Sequence, residues 1–162
     1  MKHILTTVHS GGQIGVDLAA LAAARQCGLI TGGWAPKGFL TAKGPKPELA
    51  KLGLKEHKSP KYSPRTYQNV KDTDGTIILA YDFNSPGTRC TKKALGFYEK
   101  PYLEIDLSET MFVFDVTDWL DKNEIIKLNV AGNRGKTYAE SSAIFQQVRQ
   151  YLGSVFRAYK GD

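Results

Sequence analysis

Cysteine is scarce: Cys27 and Cys90 are the only two in 162 residues. Two cysteines make no disulfide framework of the kind that holds small secreted folds together, so a cytoplasmic location is the expectation. No apolar run approaches the ~20 residues that span a bilayer, and the first residues do not read as a secretory leader. A membrane partner is therefore not expected. His3, His9 and His57 stand at no metal-ligand spacing, so no metal site is assigned. The full dinucleotide fingerprint G-x-G-x-x-G is missing as well. Lysine and arginine outnumber aspartate and glutamate by 22 to 16, a net charge of +6, yet no run of five basic residues occurs and no nucleic-acid module matches. That excess points to an anionic small molecule rather than to nucleic acid. Length and a hydrophobic content of 41% suit one domain over residues 1–162.

What the chain does have is glycine at the ends of apolar runs. Ile4 to Val8 reads as a short buried strand, followed by His9-Ser10-Gly11-Gly12-Gln13. Leu18 to Gln26, with its five alanines, reads as a helix. A strand, a glycine pair and a helix together present unpaired backbone N–H groups at the positive end of a helix dipole, an arrangement that binds anions. Gly11 and Gly12 permit close approach of a ligand, and Ser10 adds a hydroxyl.

The same junction recurs. Leu29 to Thr31 forms a second strand that ends at Gly32-Gly33-Trp34, with Lys37 as a charge partner for an oxyanion. Trp34 is available either to stack on a planar ring or to fill an interior or subunit contact. Residues 41–64, rich in Lys, Gly and Pro, read as a loop with a helical turn and short strand from Leu49 to Leu54. A short helix starts at Arg65, with Arg65, Thr66 and Asn69 facing a common point. Thr76 to Tyr81 is the clearest central strand. It leads through Pro86-Gly87-Thr88 and Thr91 into a helix over Lys92 to Glu99. Pro101 to Leu107 is the next strand, Asp115 caps a helix through Leu120, and Ile125 to Val130 is the last strand. Tyr138 to Tyr159 closes the chain as a helix with an apolar stripe. Alternating strands and helices give an α/β fold: a Rossmann-like, doubly wound, mostly parallel sheet of about six strands flanked by helices. All the glycine junctions then share the carboxyl edge of one sheet.

The series Ser10-Gly11-Gly12-Gln13-x-Gly15-Val16-Asp17, Gly32-Gly33-Trp34-x-Pro36-Lys37-Gly38, Arg65-Thr66-x-x-Asn69-Val70, Asp74-Gly75-Thr76, Gly87-Thr88-x-x-Thr91 and Leu128-Asn129-Val130-Ala131-Gly132 resembles the molybdenum cofactor carrier family. That family is related to the Lonely-Guy-type phosphoribohydrolases. The resemblance implies a homodimeric or homotetrameric protein that binds the molybdenum cofactor (molybdopterin), protects it and passes it to molybdoenzymes or cofactor-biosynthesis proteins. It implies ligand contacts from Ser10, Gly11, Gly12, Gln13, Gly33, Trp34, Lys37, Arg65, Thr66, Asn69, Gly87, Thr88, Thr91 and Asn129. The hydrolase relatives carry a catalytic glutamate where Thr91 stands here, so a non-catalytic carrier is expected. A nucleoside-monophosphate phosphoribohydrolase and a nucleotide-derivative sensor are the alternatives. Cys27 and Cys90 read as structural.

Overall fold

The computed structural model describes residues 4–109 and 111–160; His3 lies outside them. The elements are β1 (Thr7–His9), α1 (Val16–Gln26), β2 (Ile30–Ala35), a hairpin of β3 (Leu40–Thr41) and β4 (Gly44–Pro45), a 3-10 turn over Pro47–Leu52, β5 (Leu54–Glu56), α2 (Tyr62–Lys71), β6 (Gly75–Ala80), α3 (Pro86–Tyr98), β7 (Tyr102–Asp106), α4 (Val113–Lys122), β8 (Lys127–Gly132) and α5 (Tyr138–Lys160).

Six strands form one sheet in the order β5-β2-β1-β8-β6-β7, and every neighbouring pair in it is parallel. The register sets Val8 beside Thr31 and Leu128, and Ile77 beside Leu103 and Val130. Every residue of β6 is buried, as a strand covered on both faces requires. Its alternation feeds two cores. Ile77 and Leu79 join Val8, Leu128, Val130 and the inner faces of α1, α4 and α5. Ile78 points the other way, to Val70 of α2 and to Ala94 and Leu95 of α3. The α5 stripe buries Ile144, Val148, Leu152, Val155, Phe156 and Tyr159, with Phe145 only partly covered.

Several element boundaries differ from the sequence expectation, each for a local reason. β2 does not stop at Gly32-Gly33 but runs through them to Ala35. A Cβ on Gly33 would sit 2.2 Å from the Ser10 carbonyl oxygen, so that glycine serves close packing inside the sheet. α1 begins at Val16, with Gly15 as its N-cap at φ 83°, so Gly12 lies upstream of the helix. α2 begins at Tyr62, before Pro64; a first-turn proline removes only an N–H that has no helical partner. α3 begins at Pro86, six residues ahead of Lys92, because Ser85 caps it and accepts from the Thr88 N–H. Phe112 rather than Asp115 occupies the N-cap position of α4, and Asp115 sits in its first turn. Among the described residues no helix is long and apolar enough to cross a membrane.

Candidate functional site

Four segments leave the carboxyl ends of β1, β6 and β8 or descend from α2, and together they enclose a cavity of about 910 Å3. Its walls come from Gly11 to Asp17, from Tyr62 to Asn69, from Tyr81 to Thr91, and from Asn129 to Ile144. This is the crevice where sheet order reverses, the usual ligand position in an open parallel sheet. A second hollow of about 200 Å3 beside Asp106, Glu109 and Asp115 is lined by carboxyl groups and is unsuited to an anion.

The loop after β1 is held from within. Ser10 is fully buried; its hydroxyl donates to the Asp17 carbonyl at 2.9 Å and accepts from the Gly12 N–H at 3.3 Å. Asp17 turns its carboxyl back into the loop and accepts from the Gln13 N–H at 3.2 Å and from the Gly11 N–H. Arg65 Nη1 lies 3.5 Å from the same carboxyl oxygen. Burial pushes the Asp17 carboxyl up from its ordinary value, and the Arg65 guanidinium and the two N–H groups pull against that rise. Arg65 packs so closely on the loop that a Cβ on Gly11 would lie 1.3 Å from its Nη1. A side chain at position 11 would therefore have to displace the guanidinium from the loop.

Arg65 is 9% exposed and lines the cavity. Its Nε has no hydrogen-bond partner, and its guanidinium carbon stands 5.5 Å from the Tyr62 ring centroid. A guanidinium carries five donors, so this buried one keeps donor capacity that its own chain does not use. Across the cavity, the N-terminus of α3 opens at Gly87, where a Cβ would meet nothing within 4 Å. Thr91 spends its hydroxyl on the Gly87 carbonyl at 3.1 Å. Asn129 donates to Thr76 Oγ1 at 3.2 Å.

Gly11, Gln13, Arg65, Thr66, Asn69, Gly87, Thr91 and Asn129 thus share the cavity wall. Ser10, Gly12, Gly33, Trp34, Lys37 and Thr88 are not among its lining residues. Ser10 lies beneath the loop. A Cβ on Gly12 would point at Leu49 and Leu54, away from the cavity, and Gly33 is spent on Ser10. Trp34 donates its indole N–H to Asp72 at 2.9 Å and meets His57 edge-on. The backbone of Lys37 is bound to the Ser59 carbonyl. Thr88 is buried against Ser85.

Further residues of the wall lie outside the motif series. Asn133 accepts from the Tyr81 and Asp82 N–H groups at 2.8 and 2.9 Å and donates to the Asp82 carbonyl at 2.9 Å. One side chain therefore fastens the β6–α3 loop to the end of β8. Arg134, Lys136 and Glu140 also line the cavity. Glu140 accepts from the Lys136 N–H, while its own N–H bonds Thr137 Oγ1 at the start of α5. The signal for this segment was Gly132-Asn133-Arg134-Gly135, a glycine junction like the others. Among the described residues no three His, Cys, Asp or Glu side chains gather to hold a metal ion. Cys90 lines the cavity with its thiol 3.6 Å from Ser63 Oγ. Cys27 lies elsewhere, against the Gly153 carbonyl.

A solved structure of a protein from Syntrophus aciditrophicus, provisionally named a molybdenum carrier protein, is similar over nearly the whole chain. It is 34% identical, with 96% of this chain and 97% of that chain covered and a TM-score of 0.81. No curated protein matches. A family profile described as circularly permutated YpsA SLOG matches residues 8–156. The topology agrees with that description: counted with β8 as the first strand, the sheet reads 4-3-2-1-5-6. A last strand at the centre of the sheet and a match over almost its whole length lead to one conclusion: the chain belongs to the circularly permutated YpsA SLOG family.

Proposed function

We propose that this protein is a non-catalytic carrier of the molybdenum cofactor, with residues 1–162 acting as one ligand-binding domain. The observation that carries the reading is Arg65, a buried cation with an unmet donor on the wall of a cavity of about 910 Å3. The volume suits a pterin bearing a phosphate. Arg65 and the α3 terminus at Gly87 meet the anionic groups, and Asn69, Thr66 and Asn129 border the rest of the ligand. The name of the Syntrophus protein supports molybdenum as part of the cargo. Thr91 stands where the related hydrolases carry glutamate, and the carboxylate of Glu140 is engaged on the Lys136 N–H at 2.7 Å. Neither offers a free general acid for glycosidic cleavage. The recipients are molybdoenzymes or cofactor-biosynthesis proteins, and the carrier works in the cytoplasm as a dimer or tetramer.

Anaerobic gel filtration with the molybdenum cofactor, followed by pterin fluorescence of the oxidised protein peak, tests the reading. Co-elution near one cofactor per chain is expected. An empty peak at micromolar protein overturns the carrier, and release of adenine from AMP by the same preparation replaces it with a phosphoribohydrolase.

A further inference from the structure

The glycine loop after β1 has the form of a phosphate cradle, but its donors are already taken. The N–H groups of Gly11 and Gln13 both bond the Asp17 carboxyl. Ser10 is tied to the Asp17 carbonyl and to the Gly12 N–H. Arg65 Nη1 approaches the same carboxyl oxygen, leaving Nε unmet. Asp17 and Arg65 are 6% and 9% exposed, so this is an interior arrangement and not a surface ion pair.

We propose that Asp17 is a built-in anion: its carboxyl fills the cradle that a Rossmann fold would offer to a ligand phosphate and positions Arg65 to take that role. The inference rests on the reading that the cavity binds an anionic pterin or nucleotide. It narrows the ligand to a molecule with one terminal oxyanion, a phosphate monoester, read by the guanidinium. A dinucleotide pyrophosphate has no place at the β1 loop, because its donors are occupied and a second negative group there would meet the Asp17 carboxyl. Asp17 is thus a positioning residue, and it sets specificity through the β1 loop and Arg65.

The test empties the cradle and offers it a small carboxylate. Thermal melts of the wild type, Asp17→Ala and Asp17→Asn are recorded with sodium acetate and with sodium chloride at equal ionic strength. Asp17→Ala is expected to gain several degrees with acetate over chloride, since a ligand bound only by the folded state raises its stability. The wild type and the space-filling Asp17→Asn respond equally to both salts. An equal response of Asp17→Ala to both salts overturns the proposal. Should Asp17→Ala not fold, modification of Arg65 by phenylglyoxal, followed by mass spectrometry, decides it on Asp17→Asn. Labelling at least about tenfold faster than in the wild type means the carboxyl held the guanidinium, whereas an unchanged rate overturns that role. Neither readout uses the cofactor. Loss of cofactor binding by the wild type would sink the carrier and leave the acetate effect standing.

Discussion

The side-chain amide of Asn69 pairs with both backbone groups of Trp34: its Oδ1 accepts from the Trp34 N–H at 2.8 Å and its Nδ2 donates to the Trp34 carbonyl at 3.0 Å. The amide thereby occupies a place on β2 that a further strand residue would fill, and it sews α2 to the sheet. One turn earlier on the same helix is Arg65. The distance between the β1 loop and the guanidinium is therefore set partly by an asparagine that spends its own polar atoms on backbone. Asn69→Ala leaves two backbone groups unmet and is expected to cost about 2 kcal/mol. Urea unfolding measures that loss, and an unchanged midpoint would show the pairing to be dispensable.

Trp34 and Lys37 stand off the cavity wall, so Trp34→Phe and Lys37→Ala should keep cofactor affinity within about twofold. Trp34→Phe should still lose about 1 kcal/mol with the Asp72 hydrogen bond. Arg65→Ala, by contrast, should weaken cofactor binding at least about tenfold, the loss of one charge-assisted bond. Equilibrium binding across the three variants separates the wall from its surroundings.

Two glycines give opposite outcomes. A Cβ on Gly132 would lie 1.9 Å from the Leu79 carbonyl oxygen, so Gly132→Ala forces β8 from β6 and should cost about 2–3 kcal/mol. Gly87 faces open space. Gly87→Ala should leave the melting temperature unchanged or raise it, since alanine favours the helix, while reducing ligand affinity. A drop in stability for Gly87→Ala would show that the α3 terminus is packed in solution.

His9 titrates at about 4 rather than 6.5, because burial and Lys127 on β8 disfavour the imidazolium; Asp72 at the end of α2 acts the other way, and Lys55 on β5 adds weaker repulsion. Between pH 6.5 and about 4 the unfolded chain takes up a proton that the folded one refuses. The stability present above pH 6.5 is therefore lost as the pH falls to about 4, and the trend is flat below. Solvent screening at the part-exposed ring limits the effect to about 1–2 kcal/mol. His9→Gln should flatten that slope in urea midpoints taken between pH 7 and pH 4.5.

Asn133→Ala removes four hydrogen bonds that hold the β6–α3 loop. The expected loss is about 2–3 kcal/mol, accompanied by faster amide exchange at Tyr81 and Asp82. Exchange unchanged at those two positions would place the loop's restraint elsewhere.

Much of the fold was readable because β-branched runs such as Thr76 to Leu79 and the alanines of α1 carry strand and helix preferences locally. The cavity wall was readable wherever glycine, hydroxyl and cation cluster at a strand end, as at Gly11, Arg65 and Gly87. What stayed hidden was direction. Nothing in Gly11-Gly12 says that one glycine admits Arg65 while the other backs onto Leu49 and Leu54, since both partners are far away in the chain. Gly32-Gly33 looked like the end of a strand because the Ser10 backbone it accommodates lies on β1's continuation. Asn133 carries no local signal because its partners, Tyr81 and Asp82, are about fifty residues away.

The central position of β8 has a consequence for synthesis. β1 and β6 both border β8 and pair with it, not with each other, so they flank an empty slot until the ribosome has released Lys127 to Gly132. Until then β1 and β6 lack their common neighbour, and the cavity lacks the wall that Asn129, Asn133 and Glu140 provide. A chain without β8 thus has no complete cavity, and unpaired strand edges of that kind invite chaperones or pairing with another copy. Only when β8 and the start of α5 are both present is the pocket wall whole.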